Sequence, residues 1–142
     1  MTKIFSIILL TTIFTCESYA NSFGAEYIRN YDGDTVTVNL NCGTDYFCRN
    51  RSVRIYGIDT PEIRTKDRCE KRKAILAKIF VSDKLSGATE IIAHDCLHGK
   101  YHREVCEIIY DGHNLGEELI ANGLAYPYFG GTKQKINWCN ND

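Results

Sequence analysis

Two acidic clusters in this 142-residue chain carry the side chains whose types and spacing favour chemistry. The first is the run DGDT at residues 32–35, and the second is the run DTPE at residues 59–62. An Asp-Gly pair is typical of a tight turn, and Pro61 ends the strand before it. If the two runs meet in the fold, Asp34, Asp59 and a backbone carbonyl can hold a hard cation. Calcium accepts irregular oxygen sites of this kind.

A carboxylate and an arginine beside this expected cation site indicate a reaction. Glu62 follows Asp59 closely enough to take a proton from a water near the ion. Arg54 lies on the strand that leads into the second cluster, and its planar, permanently charged guanidinium suits phosphate oxygens. A cation, a base and an arginine together favour phosphoryl transfer to water. No serine or cysteine lies in a nucleophile motif, and no glycine-rich loop resembles a nucleotide cradle.

Each of these features also has a simpler structural explanation. An Asp-Gly pair is usually only a hairpin turn, and an arginine on a strand is usually a surface residue. The formal net charge of −1 argues mildly against nucleic-acid binding. Residues 51–73, however, hold eight Lys or Arg against four Asp or Glu. That segment either lines a phosphate-binding face or is the solvated surface of a helix.

The elements that must position these residues are five short strands and two main helices. The strands are predicted to begin at Tyr27-Ile28 and to cover residues 35–40, 52–58, 90–93 and 105–110. Alternating β-branched residues in the second strand are typical of a half-buried strand. Five strands this short favour closure into a barrel, because closure removes exposed edges. The predicted fold class is mainly β, or α+β.

The helices are predicted from apolar spacing and from their caps. The first covers residues 69–85 and ends at Gly87. Its apolar stripe, opposite a charged face, consists of Ile75, Leu76, Ile79 and Phe80. The second begins at Asn114 as N-cap and ends at Gly123. Its core-facing residues are Leu115 and Leu119.

The first residues of the chain have the pattern of a signal peptide. Lys3 precedes a short apolar run at residues 4–14, and small residues stand where a signal peptidase would cut after residue 20. A lipoprotein signal ending at Cys16 is the alternative. We therefore set residues 1–20 apart and expect residues 21–142 to form one domain. The expected location is periplasmic or secreted, as a monomer without stable membrane association.

Six cysteines remain after Cys16, and in a small exported protein they indicate three disulfides with fifteen possible connectivities. They are Cys42, Cys48, Cys69, Cys96, Cys106 and Cys139. A metal site is the alternative, because four candidate ligands lie close together: His94, Cys96, His98 and His102. Their spacing fits no common zinc pattern, and the chain has no C-x-x-C pair.

Four ordered motifs together resemble the staphylococcal (thermonuclease-type) nuclease family. They lie at residues 32–35, 54–62, 100–103 and 123–125, within a region of similarity that spans about residues 26–130. The resemblance implies a five-stranded OB-fold barrel with two to three helices packed on it. It also implies a calcium-dependent endonuclease that cleaves DNA and RNA with little sequence preference and leaves 3′-phosphate ends.

The resemblance assigns roles residue by residue. Asp34 and Asp59 would bind calcium through their carboxylates, and Thr60 would bind it through its backbone carbonyl. Glu62 would act as general base or orient the attacking water.

Four further positions match residues that handle the phosphate. Arg54 and Arg103 would contact the scissile phosphate and stabilise the charge of the transition state. Lys100 and Tyr101 match positions that touch substrate phosphate.

The chain also departs from the family pattern. His102 replaces a glycine beside Arg103, and a positive backbone angle there would come at some cost. The long C-terminal helix is replaced by a segment that runs from Gly130-Gly131 to Trp138-Cys139. The residues that stack on a substrate base are open between three candidates and simple packing: Tyr126, Tyr128 and Phe129.

The layout implied by the resemblance also suggests the disulfide pairing. Cys96 and Cys106 would lie on neighbouring strands and brace the loop of Arg103. Cys42 would pair with Cys48 across the loop between the second and third strands. The remaining pair, Cys69 with Cys139, would tie the tail to the first helix, as in exported relatives with a terminal Trp-Cys.

Two other functions remain open from the sequence. The chain can be a catalytically weak OB-fold module of the cell envelope that only binds nucleic acid, or a disulfide-stabilised structural protein of the envelope. Retention of both acidic residues, the base and both arginines favours the enzyme.

Overall fold

The computed structural model of the chain describes residues 22–43, 48–100 and 103–138. The expected signal peptide and the residues Tyr101, His102 and Cys139 lie outside the described residues. In chain order the elements are β1 (Phe23–Asn30), β2 (Thr35–Leu40), β3 (Arg51–Ile55), β4 (Ile58–Asp59), α1 (Arg68–Ser86), β5 (Ile91–His98), β6 (Glu104–Tyr110), β7 (His113–Asn114), α2 (Leu115–Ala121) and β8 (Tyr126–Pro127).

Five of these strands close into a barrel. The strands are hydrogen-bonded in the order β3-β2-β1-β5-β6, and β3 also pairs with β6 to complete the circle. The closing pair is parallel and aligns Arg54 with Val105, whereas the other pairs are antiparallel. The predicted mainly β, α+β class and the five-stranded OB-fold barrel with its helices are confirmed.

The barrel interior is filled by alternate residues of its strands, because successive side chains on a strand point to opposite faces. The most deeply buried of them are Val36, Val38, Val53, Ile55, Cys106 and Ile108. Leu115 and Leu119 of α2 are fully buried against this core, as predicted. The core therefore fixes the register of β2 and β3, the strands that carry the candidate site.

One predicted strand is divided in two. The sequence predicts a continuous strand over residues 52–58, but β3 ends at Ile55 and a turn follows. Gly57 has a φ of 77° in this turn, a conformation that glycine adopts at little cost. The chain then forms β4, which pairs with β8 rather than with the barrel. As a result Asp59 lies on a separate short ribbon at the barrel rim. β1 and β5 are also longer than predicted, since barrel pairing extends them.

The prediction for the packed face of α1 is wrong for three of its four residues, whereas the fourth, Phe80, is partly buried against the core. Ile75, Leu76 and Ile79 are exposed, and the helix packs instead through small and medium residues one position away. These buried residues are Ala74, Ala77, Val81 and Leu85. A Cβ at Gly33 would lie only 2.7 Å from the Cβ of Ala77, so this helix approaches the β1–β2 turn too closely for large side chains. The close approach of α1 to this turn therefore keeps the largest apolar side chains out of the packed face of the helix.

The helix ends follow local capping chemistry. The side chain of Asp67 accepts hydrogen bonds from two backbone amides of the first turn of α1, and Asn114 does the same for α2. The prediction of Asn114 as N-cap is therefore confirmed. Gly123 follows the end of α2 with a φ of 65°. In the described part of the chain no helix is both long and apolar enough to cross a membrane.

Disulfides join Cys42 to Cys48 and Cys96 to Cys106, as predicted. Cys69 is also disulfide-bonded, but its predicted partner Cys139 lies outside the described residues, and that pair stays a prediction. Because Cys96 is in a disulfide, it is not a thiolate ligand, and the zinc alternative loses its only cysteine.

The position of α1 gives a matched pair of substitutions. Leu85 is 2% exposed and Leu76 is 50% exposed. Leu85→Ala is expected to lower the free energy of unfolding by about 2–4 kcal/mol, because it leaves a cavity. Leu76→Ala should change it by less than about 0.5 kcal/mol. Urea unfolding measures both values, and a larger loss at Leu76 would contradict the packing of α1.

Candidate active site

The structure brings the two acidic runs together around one arginine. Arg54 donates from Nη1 to Oδ1 of Asp34 at 3.0 Å and from Nη2 to Oδ1 of Asp59 at 2.6 Å. The backbone amide of Ile55 donates to the carbonyl of Asp34 at 2.8 Å, so the first run is fixed to β3. Asp34 and Asp59 are only 5% and 4% exposed. Two nearly buried carboxylates therefore share one planar cation.

This pairing keeps Arg54 charged. Burial would lower its pKa, but the charge of Asp34 and the hydrogen bond and charge of Asp59 raise the pKa above its ordinary value. A guanidinium whose two terminal nitrogens are both bonded to carboxylates has little rotamer freedom left to lose. Arg54 is thus a rigid positive group at the rim of the barrel.

The turn that carries Asp34 is ordered by its own side chains. Oδ1 of Asp32 accepts hydrogen bonds from the backbone amides of Asp34 at 3.2 Å and Thr35 at 2.8 Å. The Thr35 hydroxyl donates to Oδ1 of Asp34 at 3.0 Å. Burial and the neighbouring charge of Asp34 raise the pKa of Asp32 to about 6. Asp32 therefore shapes the turn, while Asp34 points toward Arg54.

Helix α1 holds this turn against the second run. A Cβ at Gly33 would lie 2.7 Å from the Cβ of Ala77 and 2.9 Å from Cγ2 of Thr60. The backbone amide of Thr60 approaches Oδ2 of Asp34 at 3.4 Å. Glycine is required here because any side chain would push the turn, the helix and Thr60 apart. The helix thereby fixes the distance between Asp34 and the residues after β4.

Asp59 has two further partners. The hydroxyl of Tyr126 donates to its Oδ2 at 2.8 Å, and Nζ of Lys133 lies 2.9 Å from its Oδ1. Burial raises the pKa of Asp59, but hydrogen bonds from Lys133, Tyr126 and Arg54 outweigh it and lower the pKa below its ordinary value. Burial and the bond to Asp59 in turn raise the pKa of Tyr126, so its hydroxyl remains a donor.

Glu62 lies at the open side of this cluster. Its side chain is 67% exposed, and its Oε1 lies 3.5 Å from Nζ of Lys133. Its backbone amide donates to Oε1 of Glu70 at 3.2 Å, which links the segment after β4 to the first turn of α1. Lys133 therefore connects Glu62 to Asp59, and an exposed carboxylate of this kind remains open to water.

Arg103 lies outside the ion pairs of this cluster. The residue stands immediately before β6, and the β3–β6 register aligns Arg54 with Val105, two positions further on. Among the described residues its side chain forms no ion pair with Asp34, Asp59 or Glu62. Its loop is tight, since the amide of Gly99 donates to the carbonyl of Arg103 at 2.8 Å. Arg54 on β3 and Arg103 just before the neighbouring β6 therefore come from adjacent parts of the barrel, and their common contact with a phosphate stays a prediction.

The other predicted substrate residues have different positions. Lys100 lies in the same loop, where its carbonyl faces the amide of Arg103 at 3.4 Å. Tyr101 is outside the described residues. Of the stacking candidates, Tyr126 is engaged with Asp59, whereas Phe129 is exposed and packs edge-on against Tyr56 at 5.7 Å between ring centroids.

Sequence reasoning missed two residues of this cluster. Lys133 lies in the aperiodic tail, where no motif or spacing marks it. Tyr126 is predicted either to stack on a substrate base or simply to pack, and its hydroxyl contact depends on the pairing of β4 with β8. No pattern in the sequence marks either contact, because both contacts depend on the three-dimensional fold.

The cluster fits a hard cation in its donor chemistry. Asp34, Asp59 and the Thr60 carbonyl offer only oxygen, and a cationic ammonium already lies on Asp59. Within residues 22–43, 48–100 and 103–138 no group of three or more His, Cys, Asp and Glu side chains is arranged to hold a metal. The binding of a cation by Asp34, Asp59 and the Thr60 carbonyl thus stays a prediction.

Comparison with known proteins places these residues in a family context. The model of the family described as "Staphylococcal nuclease homologue" matches residues 52–138, more than half of the chain. The match includes Arg54, Asp59, Glu62 and Arg103 and leaves out Asp34. A search of the curated proteins finds no match.

The shared arginine gives a second matched pair of substitutions. Arg54→Lys keeps the charge but cannot hold both carboxylates, so it should lower the free energy of unfolding by about 1–3 kcal/mol in chelator. Arg51→Lys alters the more exposed ion pair with Glu104, and should cost less than about 1 kcal/mol. Urea unfolding measures both. Equal losses of unfolding free energy in the two variants would show that the Asp34–Arg54–Asp59 bridge stabilises the fold no more than the exposed ion pair does.

Proposed function

Because the chain belongs to the family of staphylococcal nuclease homologues, we propose that it is a calcium-dependent phosphodiesterase that cleaves DNA and RNA. The observation that carries the proposal is the bridge from Arg54 to the buried carboxylates of Asp34 and Asp59 at the rim of an OB-fold barrel. Cleavage of a phosphate diester needs positive charge beside the phosphate and hard oxygen ligands for a cation, and this bridge supplies both.

Asp34, Asp59 and the Thr60 carbonyl are the proposed ligands of the calcium ion. When bound, the ion polarises the phosphate and lowers the pKa of a coordinated water. The two carboxylates are nearly buried, which keeps them fixed and limits competition from solvent. Asp32 and Gly33 set the position of Asp34 through the turn and its contact with α1.

Arg54 and Arg103 are the proposed phosphate-binding arginines. The planar fork of Arg54 is already oriented by its carboxylate partners, so little reorganisation precedes phosphate binding. Arg103 approaches from the adjacent strand, and the β3–β6 pairing sets the relation between the two. Together they place positive charge on both sides of a phosphate that lies over the strand ends. Lys100 and Tyr101 are the proposed contacts to neighbouring phosphates.

Glu62 is the proposed general base. Its carboxylate is the most exposed of the acidic cluster, and its backbone is fixed by the hydrogen bond to Glu70. An exposed carboxylate near a cation can accept a proton from water and release it to solvent. Attack in line with the departing 5′-oxygen leaves the 3′-phosphate ends that we propose.

The disulfides fit the proposed export of the chain. Such bonds persist in oxidising surroundings and are rare in the cytosol. We therefore place the activity in the periplasm or outside the cell, with residues 1–20 as the signal that directs export. The proposed active form is a monomer.

A digestion assay tests the enzyme. Oxidised protein is expected to cleave plasmid DNA and RNA with calcium and to stop when a chelator is added. Arg54→Ala and Glu62→Gln should each lower the cleavage rate by about a hundredfold or more, because they remove charge stabilisation and proton transfer respectively. Gel analysis of time courses measures the rates.

The control for Glu62→Gln is Glu26→Gln on β1, where the carboxylate only pairs with Asn39. That variant should cleave at the rate of the unchanged protein. Fluorescence anisotropy with a labelled oligonucleotide separates binding from chemistry. Binding without calcium-dependent cleavage would refute the enzyme and support the OB-fold module that only binds nucleic acid. If the protein neither binds nor cleaves nucleic acid, the remaining alternative is a structural protein of the envelope.

The disulfide at the base of the Arg103 loop gives a further test. Cys96→Ser/Cys106→Ser should lower the free energy of unfolding by about 2–3 kcal/mol and slow cleavage about tenfold or more, because the arginine is displaced. Cys42→Ser/Cys48→Ser removes a disulfide that lines the same cavity as Cys96 but does not close the Arg103 loop, and it should leave cleavage close to normal. Rates are compared where circular dichroism shows both variants folded. Equal rates would refute the bracing role.

A further inference from the structure

Lys133 reaches the acidic cluster from a part of the chain that no motif marks. Its Nζ lies 2.9 Å from Oδ1 of Asp59 and 3.5 Å from Oε1 of Glu62. Those two carboxylates are the proposed metal ligand and the proposed base. A single ammonium thus lies between the two groups that the reaction requires.

The tail holds Lys133 in this position from both sides. Before it, the amide of Tyr128 donates to the carbonyl of Gly57 at 2.9 Å, and the Tyr128 hydroxyl donates to the carbonyl of Gly131 at 2.8 Å. After it, Trp138 is buried and packs against Tyr126 with 5.9 Å between ring centroids. Because the chain is anchored at both ends, the ammonium is present at a high effective concentration.

Both oxygens of Asp59 are already engaged. Oδ1 accepts from Arg54 at 2.6 Å and from Lys133 at 2.9 Å, while Oδ2 accepts from the Tyr126 hydroxyl at 2.8 Å. Oδ1 thus has a donor on each of its lone pairs, and a cation that binds this oxygen would displace one of them. The side chain of Lys133 is 48% exposed and that of Arg54 is 18% exposed, so Lys133 is the donor that can leave into solvent.

We propose that Lys133 is a tethered cation that competes with calcium for Asp59 and Glu62 and so sets the affinity of the site for the metal. The inference rests on the proposed function, since it assigns calcium to the same carboxylates. In the metal-free protein Lys133 neutralises the cluster together with Arg54. Calcium binding expels the ammonium, because Oδ1 of Asp59 already carries Arg54 and a third positive charge beside it adds repulsion.

The alternative is an ordinary surface ion pair, which contributes little and competes with nothing. The chain offers a matched control for this alternative. Lys135 lies two positions further along the same exposed tail, and its replacement changes the net charge by the same amount. Any effect of overall charge on calcium binding is therefore common to both variants.

Isothermal titration of metal-free protein with calcium tests the proposal directly. Lys133→Gln is expected to tighten the Kd for calcium about tenfold, because the competing charge is gone. Lys135→Gln should change the Kd less than about twofold, since a solvated charge at greater distance is screened. Lys133→Arg retains a competing cation and should bind calcium about as the unchanged protein does. An unchanged or weaker affinity in Lys133→Gln overturns the proposal.

Thermal unfolding supplies a second readout that does not depend on titration heats. In chelator, Lys133→Gln should have a lower Tm than Lys135→Gln, since Asp59 loses a partner. In saturating calcium the two variants should have the same Tm, because the ammonium has left in either case. A Tm deficit of Lys133→Gln that persists in calcium would show that Lys133 is structural and would overturn the proposal.

The outcomes also separate this proposal from the proposed function. Calcium binding and cleavage by the unchanged protein, with equal Kd in Lys133→Gln, overturn only the competition. Binding that is detectable in Lys133→Gln but not in the unchanged protein supports it. Absence of calcium binding in all variants overturns the competition together with the calcium site.

Discussion

Asp34 and Asp59 are nearly buried at the barrel rim, and two carboxylates in such a place need positive charge beside them. Arg54 meets that need by contacting both at once. Much of the surrounding structure supports this arrangement. The barrel register positions Arg54, and the β4–β8 ribbon positions Asp59. The contact of Gly33 with Ala77 positions the turn of Asp34. The stability of this charged cluster thus depends on the balance between its carboxylates and its cations.

The balance is shared between a largely buried partner and a half-exposed one. Arg54 is held by β3 and by two carboxylates, whereas Lys133 reaches Asp59 along an exposed tail. These differences matter for chemistry, because a fixed cation can stabilise developing negative charge while a displaceable one can make room for another ion. The same segment of chain is anchored by Tyr128 and Trp138, so displacement of the ammonium does not require release of the tail.

The sequence predicts the parts of this structure that depend on local chemistry or on alternation. β2 and the Asn114 cap appear where the pattern places them, because alternation and capping are decided by near neighbours. The predicted face of α1 is wrong for Ile75, Leu76 and Ile79, since the packing of the helix depends on the room that Gly33 leaves at Ala77. The division of the third strand and the position of Lys133 depend on contacts with β8 and the tail, which are remote in sequence and leave no periodic signal.

On the proposed function, the Cys96–Cys106 bond affects when the chain can cleave the nucleic acids of the cell that makes it. On the proposed export, the chain is first made beside the genome and transcripts of the producing cell, in surroundings that keep thiols reduced. The newly made chain has no bond across the β5–β6 loop that carries Arg103, so an arginine assigned to the phosphate is unbraced there. Oxidation after export would complete that loop. On the proposed function, a bond that stabilises the fold also delays nuclease activity until the enzyme and the cell's own nucleic acids are on opposite sides of a membrane.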